Sequence, residues 1–402
     1  MALQYTQRIA PKINMNNMAP RTFWFYLKPF IYPVVKGEKT LLLNTMDKYA
    51  VIEQDGVIAS LLQKWMDRSS FGVVEVSSDS EEYLRCSQFF SKMEYHAMGG
   101  LADKAHASHK PLQITPFQYK MLSPEAGTGS HSSNEVTLYI NSSCTRNCTW
   151  CDSYCDQLRC CTKRSDSGAV MDLDLIRNFI RNTDKSVTLN VCGGNVTMHP
   201  QFDTVVELLR QSGLHCIYHL HYRNFNADVE KKIGAPIVVS VDFPLGEELY
   251  LPNRENITYQ FIITSKDDLE QCEACVRKHA PEHFFLAAFH TGTNQDFFEN
   301  YVFLQQKNML CGAGELHSMV RNKILNRIYF SQTLIFPNGD VRVATDGDVL
   351  GNLYTHPYKK IREKVIHHHN VQLVETQNGE TCRDCLFAGI CPLSHKYLAH
   401  MS

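Results

Sequence analysis

Between Phe23 and Asp103 short apolar runs alternate with polar turns. IYPVV (31–35) and TLLLN (40–44) are separated by KGEK, and YAVIE (49–53) follows a turn containing Asp47 and Lys48, which predicts a three-stranded meander. From Gly56 the period lengthens: Val57, Ile58, Leu61, Leu62, Trp65 and Met66 recur at helical spacing. A second helix is expected in SSDSEEYLRCSQFFSKM, with Ser78 and Glu81 spaced as a capping box and Leu84, Phe89 and Phe90 as its apolar stripe. Strands followed by helices in so short a span define a small α+β unit, residues 1–103. Residues 104–134 show no sustained periodicity and end in a Gly/Ser-rich stretch, the pattern of a linker.

From Val136 the rhythm becomes strand, helix, strand. VTLYI (136–140), VTLNVC (187–192), LHCIYHLHY (214–222), IVVSVDF (237–243), ITYQFIIT (257–264) and FFLAAF (284–289) read as buried strands. LDLIRNFIRN, FDTVVELLRQS and DDLEQCEACVRKH read as helices between them. Alternation of this kind is the mark of an α/β fold with a parallel sheet, whose functional face lies at the carboxyl ends of the strands. Six strands over 135–310 suit an open or partial (β/α)6 barrel. Residues 311–402 form a third region: a hairpin in LIFPNGDVRVA around Asn338 and Gly339, a helix near YKKIREKVI, then CRDCLFAGIC.

Composition narrows the classes. A chain of 402 residues exceeds what one core serves, and 44% hydrophobic with 20% charged residues is a globular balance. A net charge of −2 leaves no basic footprint for nucleic acid. The first twenty residues lack the apolar core of a signal peptide, and FFLAAF is far too short to cross a bilayer, so a cytoplasmic protein with no membrane partner is expected. In that reducing compartment, 15 cysteines point to metal binding or catalysis before disulfides.

CTRNCTWCDSYC (144–155) carries Cys144, Cys148 and Cys151 as C-x3-C-x2-C, where the first strand of the sheet runs into a loop. Three convergent thiolates can bind three irons of a [4Fe–4S] cube and leave the fourth open. Zinc is the other reading, with Cys155 completing a tetrahedral site. Cys155, Cys160 and Cys161 are otherwise further thiols of the same loop.

The spacing, with Trp150 before the last thiol and the sheet that follows, resembles the radical S-adenosylmethionine superfamily. That resemblance implies that the open iron chelates S-adenosylmethionine and that its reductive cleavage yields a 5′-deoxyadenosyl radical. VCGGNVTMHP resembles the family's GGEP motif, which places Gly193, Gly194 and Asn195 near the methionyl end of the cofactor, with Asn195 where the family has glutamate. VVSVDF resembles its SxD strand end, which places Ser240 and Asp242 near the ribose. Arg254 and Thr264 are weaker candidates.

The C-terminal CRDCLFAGIC, with the PNGDV hairpin before it, resembles the SPASM region of peptide-modifying radical enzymes. The seven-cysteine pattern is incomplete: Ala344 and His395 stand where ligands are expected, and no cysteine follows Cys391. One auxiliary iron–sulfur cluster on Cys382, Cys385 and Cys391 is implied, with His395, His400, water or substrate on the fourth iron. Zinc with a histidine ligand is the other reading of this small SPASM- or twitch-like domain. Cys311 reads as a packed thiol, and His367, His368 and His369 as solvated surface.

The N-terminal unit resembles the PqqD-like, winged-helix-like precursor-recognition domain, which takes a leader peptide as an added strand. Nearly the whole chain thus resembles radical maturases of ribosomally made peptides, close to a group that includes "pseudo-radical-SAM" partner proteins lacking the first cysteine cluster. The resemblance implies a precursor peptide and an electron donor such as flavodoxin or ferredoxin as partners, and hydrogen abstraction leading to an intrapeptide crosslink. The remaining alternatives are an inactive partner that carries precursor to a second maturase, a peptide epimerase, and a sulfatase-type maturase.

Overall fold

The computed structural model describes residues 20–106, 110, 135–146, 148, 151, 157–159, 169–246, 250–302, 310, 319, 332–343, 347–367, 384–387 and 390. The chain divides into two compact units, Met1–Tyr119 and Lys120–Ser402.

The first unit runs β1 (Thr22–Leu27), β2 (Ile31–Lys36), β3 (Lys39–Asn44), β4 (Ala50–Gln54), α1 (Gly56–Met66), β5 (Val73–Ser77), α2 (Glu81–Tyr95) and β6 (Gly99–Asp103). The expected meander is present as the antiparallel sheet β2-β3-β4. A second antiparallel sheet, β5-β1-β6, was not anticipated: TFWFYL alternates well enough, but its partners are short and far along the chain. Phe25 from β1 packs against Phe89 and Phe90 of α2, at centroid distances of 6.0 and 5.4 Å. Ser80, rather than Ser78, caps α2, its Oγ accepting the Tyr83 N–H at 3.1 Å. The Ser78 hydroxyl instead accepts the N–H of Arg21 at 2.9 Å, at the start of β1. Leu84 lies on the exposed side of α2, so the buried stripe is Cys86, Phe89, Phe90 and Met93.

Helix α1 is started by Asp55, whose Oδ1 accepts the N–H groups of Val57 at 2.7 Å and Ile58 at 3.3 Å. The Val57 N–H, more than the other neighbours, holds the Asp55 carboxyl below the usual carboxylate range. A carboxylate favoured by folding stabilises the protein above its unfolded pKa, and that contribution is lost as pH falls through the lower folded value. Asp55→Ala is expected to cost about 1 kcal/mol and Asp55→Asn much less, because asparagine still caps. Urea unfolding followed by tryptophan fluorescence at pH 7 and again in acid checks both the cost and its disappearance.

The second unit is built on one nine-stranded sheet of order β12-β11-β10-β9-β8-β7-β13-β14-β15. Six strands in unbroken sequence, β7 (Glu135–Tyr139), β8 (Thr188–Cys192), β9 (His215–His221), β10 (Ile237–Val241), β11 (Ile257–Ile263) and β12 (Phe284–Ala288), run parallel, each beside its predecessor. On the free side of β7, β13 (Gln332–Ile335) adds a further parallel strand. Beyond it β14 (Asp340–Arg342) turns back through the Asn338–Gly339 turn, followed by β15 (Gly351–Asn352).

Helices α3 (Leu173–Arg181), α4 (Phe202–Ser212), α5 (Ala227–Ile233), α6 (Lys266–His279) and α7 (Tyr358–His367) complete the described elements that matter here. The short α5 was not anticipated, and among the described residues no helix joins β10 to β11.

One face of the parallel sheet is apolar. Val136, Leu138, Val191, Tyr218, Leu220, Val239 and Phe261 pack there with α3 and α4 residues such as Phe179 and Val206. Because strand side chains alternate, the other face carries Thr137, Asn190, His219, Ser240 and Gln260, one polar residue from each of five successive strands, all buried. Among the described residues no helix is long and apolar enough to cross a membrane.

Candidate functional site

The carboxyl end of β8 is where two stretches of backbone come closest. Gly193 and Gly194 have φ of +113° and +55°, and a Cβ on either would run into backbone atoms of Ile140–Asn141 or Ser142–Ser143. Hydrogen bonds fill the same seam. The N–H groups of Ile140 and Asn195 donate to Cys192 O and Ser143 O at 2.9 and 2.8 Å, and Asn141 Nδ2 donates to Asn195 O at 3.1 Å. Asn141 Oδ1 accepts the N–H of Ser143 at 2.8 Å. The chain therefore leaves β7 in a fixed direction just before Cys144.

Cys144 and Cys148 are half-buried and Cys151 is buried. The N–H of Arg146 donates to Cys144 Sγ at 3.4 Å, and the N–H of Cys151 to Cys148 O at 3.1 Å. Cys148 also packs against Leu158, Ile262, Ala287 and Phe289 on the polar side of the sheet.

Among the described residues, the one group of three His, Cys, Asp or Glu side chains with ligand atoms within 4.8 Å of one another is Cys148, His221 and Asp242. Cys144 and Cys151 are not members of that group. His221 is buried, and its Nδ1 accepts the N–H of Arg223 at 3.3 Å. Its proton is thereby assigned to Nε2, which donates to Asp242 Oδ1 at 3.1 Å. That tautomer presents no lone pair from Nε2, so the trio is a hydrogen-bonded pair beside a thiol rather than a ready metal site.

Two features give the site its charge. Arg223 Nε donates to the hydroxyl oxygen of Tyr222 at 2.7 Å, and this bond, with the nearby charges of Asp242 and Cys148, raises the guanidinium's pKa still further. His219, one tier below on the same face, donates from Nε2 to Asn190 Oδ1 at 3.0 Å. Burial, and behind it the charge of Arg159, pushes its pKa down to about 3, so it is neutral near pH 7. Among the described residues His219 Nδ1, Asn190 Nδ2 and Ser240 Oγ have no hydrogen-bond partner. Farther along the cysteine loop, Gln157 clasps His290 beyond β12, its Nε2 donating to His290 O at 2.8 Å and its Oε1 accepting the His290 N–H at 2.7 Å.

The residues singled out from the sequence fall into three sets. Cys144, Cys148, Cys151, Gly193, Gly194, Ser240 and Asp242 all stand at the carboxyl ends of β7, β8 and β10. Asn195 stands there too, but its Oδ1 is committed to the N–H and O–H of Thr197, at 3.2 and 2.8 Å, leaving the NH2 as its outward group. Thr264 and Arg254 serve structure instead. Thr264 donates to Asp268 Oδ2 at the start of α6, and Arg254 pairs with Glu230 at 3.0 Å. Trp150, Cys155, Cys160, Cys161, Cys311, Ala344, Cys382, Cys391, His395, His400, His368 and His369 lie outside the described residues. Cys385 is described, half-buried, and accepts the N–H of Phe387 at 3.4 Å, the same turn that serves Cys144.

His221 and Arg223 escaped the sequence reading. Their signal was the alternation in LHCIYHLHY, which puts His219 and His221 on one face of β9.

No protein-family model matches the chain, and no curated protein matches it. Solved structures similar to it include SuiB of Streptococcus suis bound to precursor peptide SuiA (10% identity, 92% of this chain and 95% of that chain, TM-score 0.43). The same protein bound to S-adenosylmethionine gives 10% identity over 92% and 95%, TM-score 0.34. The protein anSMEcpe with bound AdoMet gives 12% identity over 64% of this chain and 84% of that chain, TM-score 0.43.

A buried histidine kept neutral favours the unfolded state in acid. The unfolded imidazole takes a proton below about pH 6.5 while the folded one resists until about pH 3, so stability falls as pH drops through that window. His219→Gln is expected to flatten that slope, read as the change in urea midpoint between pH 7.5 and 5. An unchanged slope would assign the acid sensitivity to other groups.

Proposed function

We propose that this chain is a radical S-adenosylmethionine peptide maturase, holding a [4Fe–4S] cluster on Cys144, Cys148 and Cys151 and crosslinking residues within a ribosomally made precursor peptide. The observation that carries this reading is the three-cysteine loop launched from β7 and pinned by the side-chain-free end of β8. The donor set fits a [4Fe–4S] cube, in which three thiolates each hold one iron and the fourth iron stays open. When bound, such a cluster supplies the electron that cleaves the sulfonium bond of S-adenosylmethionine.

The chain's own residues do the rest. Gly193 and Gly194 let the end of β8 close against the backbone leaving β7, which fixes the origin of the cysteine loop. Arg223 offers a cation, Asn195 an amide NH2 and Ser240 an unpartnered hydroxyl to the cofactor's carboxylate and hydroxyl groups. The hydrogen bond from His221 to Asp242 ties β9 to the end of β10 beside Cys148, and Leu158, Ile262 and Phe289 pack with that thiol. In the C-terminal region, Cys382, Cys385 and Cys391 are assigned one auxiliary cluster, with His395 as a candidate fourth ligand; the turn at Cys385 supports it. An electron donor such as flavodoxin or ferredoxin and a cytoplasmic setting complete the reading.

The first unit is assigned to precursor recognition. Among the described residues β4 pairs with β3 alone, which leaves its outer backbone for an added strand, and Ile52 on it is 48% exposed. Helix α2 flanks that edge through Arg85–Asp55 and Lys92–Glu53 ion pairs.

A second reading has one observation in its favour. Asn195 brings no negative charge and has its carbonyl consumed by Thr197, which suits a partner that carries precursor to another maturase.

Anaerobically reconstituted protein is expected to hold at least about four irons per chain and to release 5′-deoxyadenosine on reduction, as a site-differentiated cube requires. Replacing Cys144, Cys148 and Cys151 together by alanine should abolish release and spare peptide binding. Wild-type protein that takes up zinc in place of iron and releases no 5′-deoxyadenosine would establish the partner or zinc reading.

Ile52→Lys should weaken binding of the peptide encoded nearest the gene about tenfold or more by fluorescence anisotropy, because a charge on an edge strand opposes pairing. Unchanged affinity would remove the recognition role from β4.

A further inference from the structure

We propose that His219 and Asn190 form the specificity-determining floor of the substrate site, where they receive an uncharged peptide side chain that both donates and accepts a hydrogen bond, a hydroxyl or a carboxamide. This deepens the proposed function and rests on it.

The two residues lie on the polar face of the sheet and hold each other through one hydrogen bond, His219 Nε2 donating to Asn190 Oδ1 at 3.0 Å. That bond fixes what the other end of each side chain offers. His219 Nδ1 is left with a lone pair and Asn190 Nδ2 with N–H groups, and neither atom has a partner among the described residues. With His219 4% and Asn190 2% exposed, bulk water does not serve them. A buried polar atom left in this state costs about 1–3 kcal/mol. Native proteins seldom leave two such atoms, one acceptor and one donor, on neighbouring side chains with nothing to join them.

Depth separates this place from the cofactor's. His219 and Asn190 each stand two residues before the last residue of their strands, β9 and β8. At about 3.3 Å per residue they lie roughly 6–7 Å beneath the strand ends, where Gly193, Asn195 and Arg223 stand. Ligands of parallel sheets arrive from the carboxyl ends. What reaches the tier is then a side chain lowered from a peptide lying above it.

The surroundings set the charge and shape of that side chain. Arg159, whose charge reaches His219, is itself paired with Glu135 at 2.7 Å, and burial keeps His219 neutral near pH 7. A charged side chain would lie there without a counter-ion, at a cost that a neutral one avoids. Apolar clusters flank the tier, with Tyr139, Leu334 and Phe336 on the side of β7 and β13 and Ile262, Ala287 and Phe289 on the side of β11 and β12. They suit the hydrocarbon part of a side chain whose tip is polar.

The test uses full-length, cluster-loaded protein and the peptide encoded nearest the gene, with kcat/KM read from the loss of the unmodified mass. In separate peptides each serine, threonine and tyrosine is replaced by alanine, valine and phenylalanine, and each asparagine and glutamine by leucine and methionine. One replacement should lower kcat/KM about tenfold or more, the size of one hydrogen bond lost in a dry site, and its identity tells hydroxyl from carboxamide. The same replacement should cost less than about twofold in His219→Phe and in Asn190→Leu protein, because its partner is already gone. A merely structural role would slow every peptide alike and leave the cost of the replacement intact. Thermal unfolding is the fold control for both variants.

Wild-type turnover that no replacement lowers, or a loss that persists undiminished in the variants, overturns the inference and leaves the proposed function intact. Affinity for S-adenosylmethionine about tenfold weaker in both variants, with no coupled peptide position, would give the tier to the cofactor and overturn it as well. Absence of 5′-deoxyadenosine release from wild-type protein sinks the proposed function itself, and this inference with it.

Discussion

The site depends on one close approach, the end of β8 against the backbone that leaves β7. Space there admits hydrogen and not a methyl group, which is why Gly193 and Gly194 follow one another and why both adopt positive φ. The approach decides where Cys144 begins its loop. Through the hydrogen bonds of Asn141, Ser143 and Asn195 it also ties the loop to the second strand as firmly as to the first. The loop is thus given a rigid origin, and Cys144, Cys148 and Cys151 lie outside regular structure.

Around this origin the parallel sheet separates its two faces by chemistry. The apolar face, sealed by helices, supplies stability. The opposite face carries a buried tier from Thr137 to Gln260 in which Asn190, His219 and Ser240 keep unpartnered polar atoms. Each such group costs about 1–3 kcal/mol if left unpaired, so the tier is tolerable only where a ligand or ordered water completes it. His219 contributes there as a neutral group because burial denies it a proton.

The strands were legible because buried parallel strands are continuous apolar runs, and all six appeared where the runs stood. What failed were features set by long-range pairing or local competition. β1 went unread because its partners β5 and β6 lie far along the chain. Ser78 met the spacing rule for a cap, yet Ser80 stands immediately before the helix and Ser78 was drawn to Arg21. At the site, the expected cysteines and glycines stand at the carboxyl ends of β7 and β8, where a strand running into a loop placed them. His221 was not, because a histidine inside a strand is ordinarily core; only the arrival of Asp242 from the next strand and Cys148 from the loop gives it a role. Asn195 stands at the end of β8, but what its amide can offer depends on Thr197, two residues on, which takes up its Oδ1.

The parallel strand β13 has a consequence for how the two cysteine-bearing regions communicate. By laying Gln332–Ile335 along Glu135–Leu138, the chain splices its C-terminal hairpin directly onto the strand that launches the first thiols. Tyr358 and Ile361 of α7 root the same segment in the main core, with Tyr358 edge-on to Phe179 at 5.1 Å. The hairpin therefore behaves as an outrigger lashed to the hull. Strain arising on that side is transmitted along a ladder of backbone bonds into β7, and the first residues it reaches beyond the strand are those of the cysteine loop.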